Sequence, residues 1–294
     1  MMLNEKSIFL AAEGGALYRY NLTTATLTLV FKDEKNETLM GLEKKDDILY
    51  LGGKTRLFKF KMNDELTMLK TFTSPKGHTS FHQIMIIDDY LYVTVTHRNE
   101  VWKFDLDLSL CKVFKIAPPN SSSPVQYGKN YNHLNNIFYD GDNFYVCLNW
   151  LTQKQYGPSG VAVLDSEMKE VRRFEHGWET HNYLIFEDKE YVLCGSSGAI
   201  KKVNHPHKGG LMVDGKLVFE YDPNRVFCKD FSIDKDHIYI VGGSIKERGQ
   251  RDVSDGVLFI LDRNFEFEVE KVYPESGGLC GCLLVGCDFS KVGG

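Results

Sequence analysis

The 294-residue sequence has little of what would make it helical, membrane-spanning or strongly charged. Apolar residues almost never recur at three- and four-residue spacing, which excludes a helical bundle. No apolar run approaches the about eighteen residues that cross a bilayer as a helix. No block of five like charges occurs and the net charge is only −5, so the basic footprint of a nucleic-acid binder is missing. The opening residues Met1-Met2-Leu3-Asn4-Glu5-Lys6 do not have the basic-then-apolar layout of a secretory leader. The seven cysteines are odd in number and scattered through strand-like segments, unlike a disulfide framework. Familiar catalytic signatures are missing too: there is no serine nucleophile elbow, no glycine-rich phosphate loop, no HExxH and no calcium-loop pattern. The expectation is a soluble cytoplasmic protein with reduced thiols and with neither nucleic acid nor membrane as partner.

What the sequence does have is period-two alternation, supported by 43% hydrophobic and 13% aromatic residues. Six hairpins can be read from it. Their first strands are 17–21, 57–61, 101–105, 161–165, 200–204 and 257–262, and their second strands are 27–31, 66–72, 111–116, 170–174, 216–221 and 267–273. Two further strands precede most hairpins, the first of them carrying a recurring phrase. A residue at 40, 82, 133, 181 or 227 is followed seven places later by Asp47, Asp89, Asp140, Asp188 or Asp234, and then by an aromatic-rich strand. Each unit therefore holds four strands, A to D, in about 40 to 50 residues, the signature of a propeller blade. The first unit lacks strand A, and the alternating segment Leu279–Val285 can supply it. The expected fold is all-β: one six-bladed propeller domain over 1–294, closed by a C-terminal strand that leaves no sheet edge open.

Three of the five phrases begin with histidine: His82, His133 and His181. Strand A lines a propeller's channel, so these side chains are expected to converge at one mouth. Three neutral imidazoles suit a transition metal, zinc or iron with copper as a third choice. Channel histidines satisfied by hydrogen bonds alone are the competing expectation. The long connections 117–130, 149–160 and 244–256 open on the same face, whereas 204–215, with His205 and His207, is expected on the opposite one. Lys229, Asp230 and Arg251 are the candidate catalytic or substrate-orienting residues near that mouth, with Arg248 beside them. Glu179 lies two residues before His181, and His78 and His176 are candidates to support the ring. Tyr127, Lys129, Tyr131, Trp150, Tyr156 and Trp178 offer aromatic and polar surface for a small molecule, a glycan or a protein partner. Cys228 is either a fourth ligand or core, Cys280 and Cys282 are read as core, and Cys287 lies nearby.

The repeat geometry resembles the broad six-bladed propeller superfamily that includes NHL-type lyases and the gluconolactonase group. The resemblance spans the whole chain. The gluconolactonase group binds its metal through a glutamate, asparagines and an aspartate, where this chain carries His82, His133 and His181. The NHL-type peptide-amidating lyases are similar in setting histidines from several blades around zinc, but they are secreted and disulfide-bonded. Carotenoid-cleaving oxygenases also hold iron on blade histidines, but they have seven blades and use four histidines. The resemblance implies a metal-dependent enzyme, of lyase or hydrolase type with oxygenase chemistry as a third option, acting on a small polar molecule. The alternative is a non-catalytic propeller that presents its loops to a ligand or protein.

Overall fold

In a computed structural model, residues 6–63, 65–116, 131–151, 158–195, 209–246 and 248–285 are described. They form six four-stranded antiparallel sheets arranged as a six-bladed β-propeller. The first blade comprises β1 (Ser7–Ala12), β2 (Ala16–Asn21) and β3 (Thr26–Lys32). The second is β4 (Leu39–Lys45), β5 (Ile48–Gly53), β6 (Arg56–Met62) and β7 (Leu66–Thr73). The third is β8 (Phe81–Ile87), β9 (Tyr90–Val95), β10 (Glu100–Asp105) and β11 (Leu110–Lys115). The fourth is β12 (Leu134–Tyr139), β13 (Phe144–Leu148), β14 (Pro158–Leu164) and β15 (Glu170–Trp178). The fifth is β16 (Thr180–Phe186), β17 (Lys189–Cys194), β18 (Gly210–Val213) and β19 (Lys216–Glu220). The sixth is β20 (Val226–Ile233), β21 (His237–Ser244), β22 (Gly256–Asp262) and β23 (Phe267–Tyr273). The last strand, β24 (Leu279–Val285), pairs antiparallel with β1 and completes the first blade.

The innermost strands β24, β4, β8, β12, β16 and β20 each contact their equivalents on both sides, in a closed cycle. Second strands are buried almost throughout, as in β1 and β9, while fourth strands such as β7 are largely exposed. That gradient explains the sequence pattern: strands sandwiched on both faces read as nearly continuous apolar runs, and outer strands alternate. Six apolar clusters fill the gaps between neighbouring blades, for example Tyr50 and Leu57 against Phe81, Trp102 and Phe104. The core is therefore divided among six interfaces and leaves the channel polar.

Two sequence expectations are corrected here. The third strand of the fifth blade is Gly210–Val213, not 200–204, and Asp214-Gly215 is its hairpin turn. The long connection 195–209 thus joins a second strand to a third, which puts its ends on the face where the inner strands begin. His205 and His207 belong to that connection and lie outside the described residues, as do Tyr127, Lys129, Tyr156 and Cys287 and the side chain of Arg248. The second strand of the 170–174 hairpin continues to Trp178, so His176 is a strand residue and only Glu179 separates β15 from β16. Among the described residues, no helix is long and apolar enough to cross a membrane.

Candidate active site at the channel mouth

Inner strands carry an irregularity where they meet the mouth, among them those between Phe81 and Ile84, Leu134 and Ile137, Thr180 and Asn182, and Cys228 and Asp230. Bulges of this kind re-aim side chains at barrel and propeller rims. Just ahead of three of these strands sit Ser80, His133 and Glu179, with left-handed backbone at φ 55°, 53° and 42°. Their carbonyls make equivalent bonds, accepting from Thr96 N, Asn149 N and Gly195 N at 3.1, 3.2 and 3.0 Å.

This equivalence changes the histidine register. His82 and His181 stand two residues past that step, whereas His133 occupies the step itself, and the equivalent of His82 in the fourth blade is Asn135. The common seven-residue offset misplaces His133 for two reasons: Asp140 opens its turn, 140–143, where Asp89 and Asp188 close theirs, and β12 is one residue shorter than β8 and β16. The three rings nevertheless gather. Their centroids are 6.5 Å apart for His82 and His133 and 6.2 Å for His82 and His181. Trp150 lies 5.1 Å from the His133 ring, and Phe227 packs edge-on to His181 at 4.9 Å.

Burial and neighbouring positive charge favour neutral imidazole at His82 and His181. Burial, then the charge of Lys229, pushes the His82 pKa down to about 4. Burial holds His181 well below its ordinary value, assisted by His82, His133, Lys229 and Arg251. The Nδ1 of His181 is buried with no hydrogen-bond partner among the described residues. Neutral rings with an uncommitted nitrogen have the donor chemistry of a metal ligand. Their spacing is wider than a bound ion would hold, since the three nitrogens do not all lie within 4.8 Å of one another. Among the described residues only Asp234, Asp236 and His237 meet that limit. Those three sit at the hairpin turn on the opposite face and are engaged in turn and surface bonds. Asp234 accepts from Asp236 N, His237 N and the Tyr239 hydroxyl, Asp236 pairs with Lys6, and His237 faces Glu268.

Lys229 and Arg251 join the histidines at the mouth, but Asp230 does not. Lys229 Nζ donates to Glu13 Oε1 and stands 3.2 Å from Cys280 Sγ. Burial favours loss of the lysine proton, yet the Cys280 and Glu13 groups outweigh it and raise the pKa. Arg251, in the 3₁₀ turn Arg248–Val253, has its guanidinium carbon 5.9 Å from the centre of the Phe227 ring. Asp230 points instead along the channel. It accepts from Asn182 Nδ2 and from the backbone N–H groups of Phe231 and Cys282, both at 2.9 Å. It thereby ties β16, β20 and β24 together.

The remaining candidates divide. Cys228 and Cys282 are core residues, while Cys280 is buried against Lys229, its thiol pKa pushed up to about 11 by burial. His78 stacks on His97 with ring centroids 4.1 Å apart, beside Ser80. His176 faces Tyr183 and Glu190 between blades and not the histidine ring. Glu13 was missed by sequence reasoning. Its signal was an acid immediately before the Gly14-Gly15 turn, which opens on the mouth face.

No family model matches the sequence, and no curated protein matches it. Solved structures do. A protein of unknown function from Bacteroides caccae aligns at TM-score 0.66 and 11% identity, covering 96% of this chain and 99% of that one. A chain of a nidogen/laminin complex aligns at TM-score 0.63 and 10% identity, covering 95% and 98%. A catalytically inactive histidine-to-alanine variant of virginiamycin B lyase from Staphylococcus aureus, with quinupristin, aligns at TM-score 0.50 and 11% identity, covering 77% and 70%. At these identities the likeness establishes the propeller fold.

Proposed function

We propose that the channel mouth is the active site of a lyase- or hydrolase-type enzyme for a small polar molecule, with His82, His133 and His181 drawing closer than they stand here to hold a transition metal. The observation that carries this reading is the Nδ1 of His181, buried and without a hydrogen-bond partner among the described residues, within a set of three gathered imidazoles. A buried polar atom without a partner is a standing free-energy deficit that a ligand removes. A bound zinc or iron ion would supply Lewis acidity, polarising a carbonyl or activating a water. The chain's own residues do the rest. Lys229 and Arg251 orient the molecule from the sixth blade, and Trp150 walls the side of His133. Asp230 fixes the strand beside His181 through Asn182. The distant lyase neighbour supports this reading by fold and by the inactivity of its histidine variant.

Elemental analysis of the purified protein, and zinc titration after chelation, test the proposal. One equivalent of metal is expected, with a raised melting temperature. His181→Ala should weaken zinc binding at least about a hundredfold while the protein stays folded. Failure of zinc, iron and copper to bind stoichiometrically would sink the metal site. A second reading, a non-catalytic ligand- or protein-binding propeller, is favoured by the wide ring spacing and by Trp150 at the mouth. It expects alanine at all three histidines to leave partner binding intact.

A further inference from the structure

The charges around Phe227 are unbalanced, and the imbalance points to the chemical class of the ligand. Two cations approach this one ring, Lys229 Nζ at 5.7 Å and Arg251 at 5.9 Å from its centre. Glu13 satisfies the first, and its side chain and that of Lys229 are both nearly buried. The second has no carboxylate partner among the described residues, although Asp252 and Asp255 are close by in sequence. The backbone of Arg251 is nonetheless firmly held: its carbonyl accepts from Ser254 N, Ser254 Oγ and Gly278 N at 3.2, 2.7 and 3.3 Å. A fixed backbone carrying a guanidinium with no carboxylate partner among the described residues, beside a second cation, is an arrangement that attracts oxyanions. In a concave site the low-dielectric walls concentrate such a field. The planar guanidinium adds a two-pronged donor geometry that matches carboxylate and phosphate.

We infer that Arg251 and Lys229 form an oxyanion subsite at the sixth blade, so that the small molecule taken at this mouth carries a carboxylate or phosphate group. The inference rests on the proposed function for its location but not for its metal. Phe227 is the spacer. Its ring contacts His181 on one side and the two cations on others, which sets the anionic group apart from the histidines and leaves the rest of the molecule to reach them. The arrangement requires a small ligand whose anion lies a few ångströms from its reacting part.

The test uses chelator-treated protein, so that the subsite is read independently of any metal. Binding of inorganic phosphate and of acetate is followed by thermal shift and by calorimetry at constant ionic strength set with potassium chloride. Saturable binding of at least one of them is expected, with Arg251→Gln weakening it about tenfold or more and Arg251→Lys by less. Among the described residues Arg251 makes no ion pair that its loss would strand, so both variants should melt as wild type does. Absence of saturable binding of either anion, or equal affinity in wild type and Arg251→Gln, overturns the subsite. Anion binding that survives chelation in a protein that binds no metal overturns the metal reading alone.

Discussion

Gly281→Ala should be among the most damaging single substitutions in this protein, with a loss of about 3 kcal/mol or more, at the upper end of overpacking effects. A Cβ at Gly281 would lie 1.9 Å from the Met40 carbonyl oxygen and 3.6 Å from the Ala11 Cβ. The first contact is backbone of β4 and the second belongs to β1, so β24 is held between its own blade and the next. Neither neighbour is a flexible side chain that can swing away. Relief requires β24 to move, and β24 is the strand that closes the ring; moving it unpairs β1 and opens a sheet edge. Urea denaturation of the variant checks this, with Gly215→Ala as reference. There the new Cβ meets nothing within 4 Å, and only the left-handed backbone at φ 75° is strained. About 1 to 2 kcal/mol is expected for that variant. Equal losses at the two sites would mean that β24 is free to shift and that closure is not tight.

Asp230→Ala should lose about 3 kcal/mol or more, because it removes the shared acceptor of three donors in the channel wall, of which Asn182 Nδ2 keeps only the Phe231 carbonyl at 3.3 Å. They are Asn182 Nδ2, Phe231 N and Cys282 N, one from each of three inner strands. Asp230→Asn should lose less, since an amide oxygen keeps two of the donors and only Cys282 N meets a new N–H. The carboxyl has a pH signature as well. Burial raises its pKa from 3.8 to about 7, against the opposing hydrogen bonds from Cys282, Phe231 and Asn182. The folded protein therefore keeps the proton between about pH 4 and 7, where the unfolded chain has released it, and this group's contribution to stability falls as pH rises through that window. Asparagine has no such term. The deficit of Asp230→Asn relative to wild type should be greatest near pH 4 and shrink towards pH 8. A deficit that stays constant across this range would show a carboxylate ionised throughout.

Much of the fold was legible because blade construction is local. Alternation, turn residues and the spacing of inner and second strands lie within about 45 residues, so a repeated unit announces itself. The missing first strand and the apolar strand Leu279–Val285 at the other end imply closure between them. The fifth blade was misread for an equally local reason. Its true third strand, Gly210–Val213, has only four residues and starts on glycine, so the longer alternating run at 200–204 looked the better strand. The position of His133 was misread because an inner strand one residue shorter, and an aspartate at the start of its turn and not the end, leave the composition of the phrase intact while sliding it along the blade.

The site was legible only in outline. From the sequence, three histidines, a lysine and an arginine could be assigned to one face, since face is set by where a residue falls between strands. Which of them meet could not be. Glu13 reaches Lys229 across 216 positions of sequence, and Cys280 joins them from the closing strand. Asp230, one residue from Lys229, turns away because a bulge and strand alternation send neighbouring side chains to different sides. The amino-acid sequence by itself determined the number of blades, the closing strand and the polar character of the channel, because period-two burial and turn chemistry act over a few residues. Tertiary structure alone decided that a buried lysine finds its carboxylate, that an arginine beside it finds none among the described residues, and that His133 approaches His82 from a different step of its blade. The lysine's contact exists only after the ring has closed and brought its first and last blades side by side.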